Sequence, residues 1–177
     1  MTPKRARKAK AARKPTRKAA PKAAALIEVM VQSPRWKTQP RAAAIVRNAV
    51  AAAAKAASIK PELAIVLTDD SRIRTLNREW RGFDKPTNVL SFPAANTRAA
   101  GSLGDVIIAF QTVAREAKEE GKPIKHHLAH LAVHGFLHLL GYDHETDRDA
   151  RKMERLEVEI LKGLGVPDPY ADQESAQ

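Results

Sequence analysis

The period of the apolar positions changes several times along the chain, and each change marks an element. From Leu26 to Val31, Leu26, Glu28 and Met30 alternate with Ile27, Val29 and Val31, the two-residue period of a strand. Residues 39–57 are Ala-rich, with Ile45, Val46 and Val50, and predict a helix. Leu63-Ala64-Ile65-Val66-Leu67 is a short continuous apolar run, the signature of a buried strand. Asp69 or Asp70 caps a helix over Ser71 to Trp80, with Ile73 and Leu76 facing inward. Arg81 to Thr87 reads as a loop by its Gly and Pro. Asn88 to Phe92 is a strand stopped by Pro93, residues 94–102 form a surface connection, and Asp105 to Ala109 is a fourth strand. Two helices follow, near 111–120 and 124–140. Thr146 caps a last helix to about Leu161, in which Met153, Leu156, Ile160 and Leu164 form a buried stripe, and Gly163, Gly165 and Pro167 end it.

Strands and helices in this non-alternating order predict an α+β fold: a four-stranded mixed sheet packed with about five helices. The 177 residues suffice for one domain with a core. No repeat is visible, and no run of eighteen apolar residues predicts a membrane span. The start lacks the apolar stretch of a secretory signal. There are no cysteines, which removes disulfides and thiolate metal sites and fits a reducing, cytoplasmic setting.

Charge changes the picture at one end. The net charge is +11, but residues 1–24 hold ten Lys or Arg and no acid, leaving 21 basic against 20 acidic residues elsewhere. Pro15 and Pro21 interrupt any helix there, so residues 1–24 are expected to be a disordered basic tail, 25–170 the folded domain and 171–177 a flexible C-terminus. A solvated basic arm binds phosphate backbones without sequence preference. An extension with no specific role, or an organelle transit peptide, are the other readings of it.

The candidate chemistry is concentrated in one stretch, His134-Gly135-Phe136-Leu137-His138-Leu139-Leu140-Gly141-Tyr142-Asp143-His144. His134 and His138 share one helix face a turn apart. Gly141 supplies the left-handed stop, after which His144 returns as a third ligand at the end of the long central helix. Three neutral imidazoles leave one position of a tetrahedral zinc open, the arrangement of a catalytic ion. A solvated polar helix face is the bland alternative. The spacing matches the protease motif H-E-x-x-H-x-x-G-x-x-H at every position but one: Gly135 stands where a protease has its glutamate base. His130 forms a second i, i+4 pair with His134, yet it would stand about 12 Å from His138 along the axis, too far for one ion. His130 and His127 are therefore expected at the surface or behind the ligands. Tyr142 reads as core packing or a hydrogen-bond donor beside the metal.

Three ordered blocks carry a resemblance: Leu76 to Pro93 (LNREWRGFDKPTNVLSFP), Leu103 to Ile108 (LGDVII) and His134 to His144. Over about residues 26–170 the chain resembles the bacterial YbeY family, metal-dependent endoribonucleases tied to ribosomal RNA maturation and ribosome quality control. The resemblance implies His134, His138 and His144 as zinc ligands and Arg81 as the basic residue beside the metal. Phe83 departs from the family, where a basic or polar residue is common, and the basic tail has no counterpart.

A zinc ion on three neutral ligands would be a strong Lewis acid, able to lower the pKa of water toward neutrality. Arg81 offers a planar fork suited to phosphate, or a structural pair with Asp84 or Asp105. Asp143 is a candidate partner of His144 or proton acceptor, or else a cap or salt-bridge residue. Arg74, Arg78 and Lys85 extend a strip for an RNA backbone or a solvated face. Eight aromatic residues, several in core positions, offer no evident stacking platform for bases. The expected function is a zinc-dependent endoribonuclease on single-stranded RNA, with ribosomal RNA precursors and small-subunit components as partners. The alternatives are a non-catalytic zinc-containing ribosome-assembly factor and a metallopeptidase lacking the usual base.

Overall fold

The computed structural model describes residues 26–95 and 101–171. The expected basic tail over 1–24 lies outside them, as does the expected flexible C-terminus except for residue 171. Strand β1 is Leu26–Val31, helix α1 Ala42–Ala56, β2 Glu62–Thr68, α2 Asp70–Arg81, β3 Val89–Pro93, β4 Gly104–Ala109, α3 Phe110–Glu119, α4 Ile124–Leu139 and α5 Asp147–Gly163. The predicted α+β class, four strands and five helices are all present. The sheet runs β1-β2-β4-β3, with β1, β2 and β4 parallel and β3 antiparallel on the edge beside β4.

Local chemistry explains the boundaries. Asp69, not Asp70, caps α2: its carboxylate accepts from the Arg72 N–H at 3.1 Å. Asp70 is free to accept from both the Thr112 N–H and its hydroxyl, at 3.0 and 2.9 Å, tying α2 to α3. Thr146 caps α5 through the Asp149 N–H at 3.2 Å. The sequence pattern missed a 3-10 turn over Pro34–Thr38 that precedes α1. It buries Trp36, 2 % exposed, whose indole N–H donates to the Thr68 carbonyl at 2.8 Å. Arg81, expected in a loop, is the last residue of α2, because Gly82 takes the left-handed cap (φ 77°) one position later.

Alternation along the strands divides the molecule into layers. Ile27, Val29, Leu63, Ile65, Leu67, Val106 and Ile108 face a core completed by α1, α4 and α5. Val66, Leu90 and Ile107 face the other way, where α2 covers them with Ile73 and Leu76. Helix α4 runs through the main core, with Leu128, Val133, Phe136 and Leu137 all buried.

One glycine sets how closely α4 meets the sheet. A Cβ at Gly135 would lie 2.6 Å from Val106 Cγ1 and 3.2 Å from both Ser91 Oγ and Val89 Cγ2. The Ser91 hydroxyl donates to the Gly135 carbonyl at 2.8 Å across this contact. Replacing Gly135 with Ala forces the helix off the sheet. Overpacking of this kind costs about 1–3 kcal/mol, which denaturant unfolding of Gly135→Ala will read as a lowered midpoint.

A second tie joins β3 to α3 and α4. Glu116 accepts from the Asn88 amide at 2.9 Å and from the His127 ring N–H at 2.8 Å. Burial works to raise the Glu116 pKa, but these two hydrogen bonds outweigh it and hold the carboxyl below its usual value. The linked stability is present above the unfolded glutamate pKa and is lost as pH falls through the lower folded value. Glu116→Gln removes that contribution, so melting temperatures of the variant and the parent will converge on acidification below the ordinary carboxylate range.

Candidate metal centre

The last turn of α4 and the loop after it converge three imidazoles. His134 and His138 project from one face of α4, half-buried, one turn apart. The helix stops as its sequence predicts: Gly141 is left-handed (φ 87°), its N–H bonds to the His138 carbonyl at 3.0 Å, and the Tyr142 N–H bonds to Leu137 at 3.1 Å. That reversal returns His144, whose ring stacks on His134 at 5.8 Å between centroids and meets His138 at 5.2 Å. One nitrogen from each ring lies within 4.8 Å of the other two.

Hydrogen bonding fixes which nitrogens those are. His138 Nδ1 is 2.8 Å from the Tyr142 carbonyl, an acceptor only, so Nδ1 carries the proton. His134 Nδ1 is 2.7 Å from Glu157 Oε1, a carboxylate that likewise accepts. Both Nε2 atoms therefore present lone pairs, and they face each other at 3.0 Å. Two lone pairs so placed repel unless a cation lies between them and the third ring. Ligand nitrogens in a tetrahedral zinc site with bonds of about 2.0–2.1 Å are about 3.3 Å apart, so the donor set fits such an ion. Burial, then the neighbouring His134, lowers the His138 pKa and favours the neutral, ligating form. Among the described residues no fourth histidine, cysteine or carboxylate joins the three.

Glu157 was not singled out in the sequence. It is fully buried on α5 and gathers three donors: His134 Nδ1–H on one oxygen, and His130 Nε2–H (3.1 Å) and the Tyr170 hydroxyl on the other. Burial alone would raise its pKa, but the hydrogen bonds from His130 and His134 prevail and bring it to about 2. Tyr170 is pushed far the other way, by burial and then by Glu157 itself. The sequence signal was there: Glu157 occupies the same face as Met153 and Ile160, so a carboxylate sits in an apolar stripe. His130, His134 and Glu157 also cluster closely enough to suggest a second metal site. Their geometry is explained by these hydrogen bonds, with both ring nitrogens donating. His130 thus stands behind the ligand His134, whereas His127 is buried and bound to Glu116.

The three histidines line a cleft of about 430 Å³ with Arg81, Ser91 and Asp143. Arg81 pairs with neither of the acids proposed for it; its guanidinium donates to the Ser91 carbonyl at 3.3 Å. Asp84 is instead held by Arg74 through two 2.9 Å hydrogen bonds, with Arg78 at 3.8 Å, which turns those two arginines toward a surface cluster. Asp143 is exposed and neither caps α5 nor forms an ion pair among the described residues; one oxygen accepts from the Glu145 N–H at 3.3 Å. Tyr142 is half-buried, its ring beneath Lys152 Nζ at 5.2 Å. At position 135, the place of a protease's base, the direction of a side chain is filled by Val106, Ser91 and Val89 of the sheet.

Comparison with known proteins places the chain. The family model described as Endoribonuclease YbeY matches residues 29–165. A protein named Endoribonuclease YbeY from Rhodopseudomonas palustris (strain BisB18) is 57% identical over 156 residues, covering 83% of this chain and 93% of the relative. One of the same name from Bradyrhizobium diazoefficiens is 54% identical over 158 residues, 84% of this chain and 86% of the relative. The solution structure of TM1509 from Thermotoga maritima shares the fold, with a TM-score of 0.54 and 23% identity over 85% of this chain and 93% of that one.

Glu157→Gln keeps the shape of the buried group but removes the charge that orients His134. A partner of this kind is worth roughly 10- to 100-fold in metal affinity. Competition against a chromophoric chelator should show that loss for zinc.

Proposed function

The chain belongs to the family of the endoribonuclease YbeY, and from that premise we propose that it is a zinc-dependent endoribonuclease that cleaves single-stranded RNA during ribosomal RNA maturation and ribosome quality control. The observation that carries the reading is the pair of Nε2 lone pairs facing each other in a cleft that also holds Arg81. His134, His138 and His144 are the residues that would hold the ion. Held there by neutral ligands, it would supply a Lewis acid for phosphodiester cleavage.

The other groups of the cleft act on the substrate directly. Arg81 keeps nitrogens beyond the one bound to Ser91, and its permanent charge orients and neutralises a phosphate. Asp143 lines the same cleft with its second carboxylate oxygen outside the bond to Glu145, and in this reading it accepts a proton from the attacking water or 2′-hydroxyl. A cleft of about 430 Å³ between an edge strand and a turn receives a single strand more readily than a duplex. The lack of a fourth protein donor among the described residues favours an enzyme over a factor with a closed, structural ion. Gly135 against the sheet disfavours the peptidase reading. Zinc suits three imidazoles, although nickel, cobalt and copper share that preference. No helix among the described residues is long and apolar enough to cross a membrane, and a cytoplasmic location is part of the proposal.

End-labelled single-stranded RNA tests this. The native protein should cleave it, lose activity to a chelator and regain it with zinc, while His138→Ala prepared identically is inactive. Arg81→Ala should lower kcat on the order of a hundredfold, the cost of removing one charge-stabilising group. Equal cleavage by native protein and His138→Ala would refute the nuclease assignment; binding without cleavage by both would favour the assembly factor.

A further inference from the structure

A second groove, of about 760 Å³, opens on the other side of β3 from the metal cleft. Val66 and Ile107 form its floor, Trp80 and Phe92 one wall, and Arg72 and Asp105 stand on its rim. Arg81, Ser91 and Pro93 line both cavities, so the groove continues the cleft across the edge of the sheet.

Trp80 is the anomaly of this surface. It stands one residue before the end of helix α2 and is 69% exposed, although an indole of that size is normally well buried. It is held in place: its ring meets Phe92 edge to face, at 5.9 Å and 66°. Neither Arg72 nor Asp105 has an ion-pair partner among the described residues. The groove therefore offers an aromatic face, an apolar floor, a guanidinium from Arg72, the guanidinium of Arg81 at the junction with the cleft, and one unpaired carboxylate.

We propose that this groove binds the unpaired nucleotides flanking the phosphate held in the metal cleft, with Trp80 as the platform on which a base stacks. The inference rests on the endoribonuclease reading and adds to it the subsite that selects single strands. A base pairs with an indole face through its own π-face, which a duplex keeps occupied by neighbouring bases. Arg72 and Arg81 meet the phosphates on either side. Asp105 accepts from an exocyclic amino group, which favours bases that carry one over uracil. Continuity with the cleft and the two guanidiniums, of Arg72 and Arg81, argue for nucleic acid here rather than a protein segment.

The test uses the native protein, Trp80→Ala and Trp80→Phe, with a 2′-O-methyl decanucleotide for binding and an unmodified single strand for cleavage, at one salt concentration. Trp80 is exposed, and matched melting curves will show that all three proteins are folded. The other tryptophan, Trp36, is 2 % exposed, so quenching of intrinsic fluorescence on titration reports Trp80. The expected result is quenching in the native protein, its loss in Trp80→Ala with affinity about tenfold weaker, and most of that affinity retained by Trp80→Phe. KM for the single strand should rise by a similar factor in Trp80→Ala, with a smaller change in kcat. Unchanged affinity and KM in Trp80→Ala would overturn the proposal, as would intact RNA binding with weakened capture of a protein partner. Failure of the nuclease reading is seen separately, as cleavage equal to that of His138→Ala.

Discussion

The close approach of α4 to strands β3 and β4 at Gly135 is the constraint on which the rest of the site depends. A helix packed on a sheet is normally held off by its side chains. Here the backbone of α4 lies where any Cβ would meet Val106, and the Ser91 hydroxyl closes the gap with a hydrogen bond to the Gly135 carbonyl. With the helix seated so deeply, its next exposed face carries His134 and His138 beside the edge strand. The same contact explains why the motif departs from the protease pattern. The position after the first histidine is spent on packing, and a glutamate there would have to displace the sheet before it reached any substrate.

Around that contact the molecule places its charge with care. Glu157 is a fully buried carboxylate, a costly group unless every acceptor site is used. Three donors satisfy it, and two of them are histidines of α4. Helix α5 thus serves as the back wall of the histidine cluster, and the short segment after it supplies Tyr170. Lys122 Nζ fastens that segment by donating to the Pro169 carbonyl at 2.8 Å. The turn after α4 orients His138 by a different route, through the Tyr142 carbonyl. Each of the two helical histidines is therefore held by an acceptor from a separate part of the chain, which removes the freedom of either ring to flip its Nε2 out of the cluster.

Where period and capping chemistry are local, the sequence was enough: the strands, the five helices, the stop at Gly141 and the convergence of His134, His138 and His144 follow from spacing alone. What it hid were partnerships across elements. Trp36 looks like a loop residue until the Thr68 carbonyl gives its indole a buried acceptor. Arg81 looks like a loop residue with two acids in reach, yet Asp84 is taken by Arg74 and Asp105 lies on the far side of β3. Glu157 was visible as a charge within an apolar stripe, but only the packing of α5 on α4 names the histidines it serves. A count of aromatic residues does not say which of them lie outside the core, and Trp80, 69% exposed, does.

Ser91 shows how these parts become one device. It lies on β3, the edge strand, at one of the alternate positions whose backbone faces outward; the bonded positions between which it falls include Asn88, which accepts from Ala109, and Ala94, which donates to Leu103. Its carbonyl accepts from Arg81, at the end of α2, and its hydroxyl donates to α4 one residue beyond His134. A single residue therefore touches both the Arg81 guanidinium and the helix that carries His134 and His138, although α2 and α4 lie on opposite faces of the sheet. An interior strand has no outward carbonyl to offer, and a helix would spend it on its own ladder. The exposed edge that most sheets must protect here carries the residue that ties the end of α2 to α4.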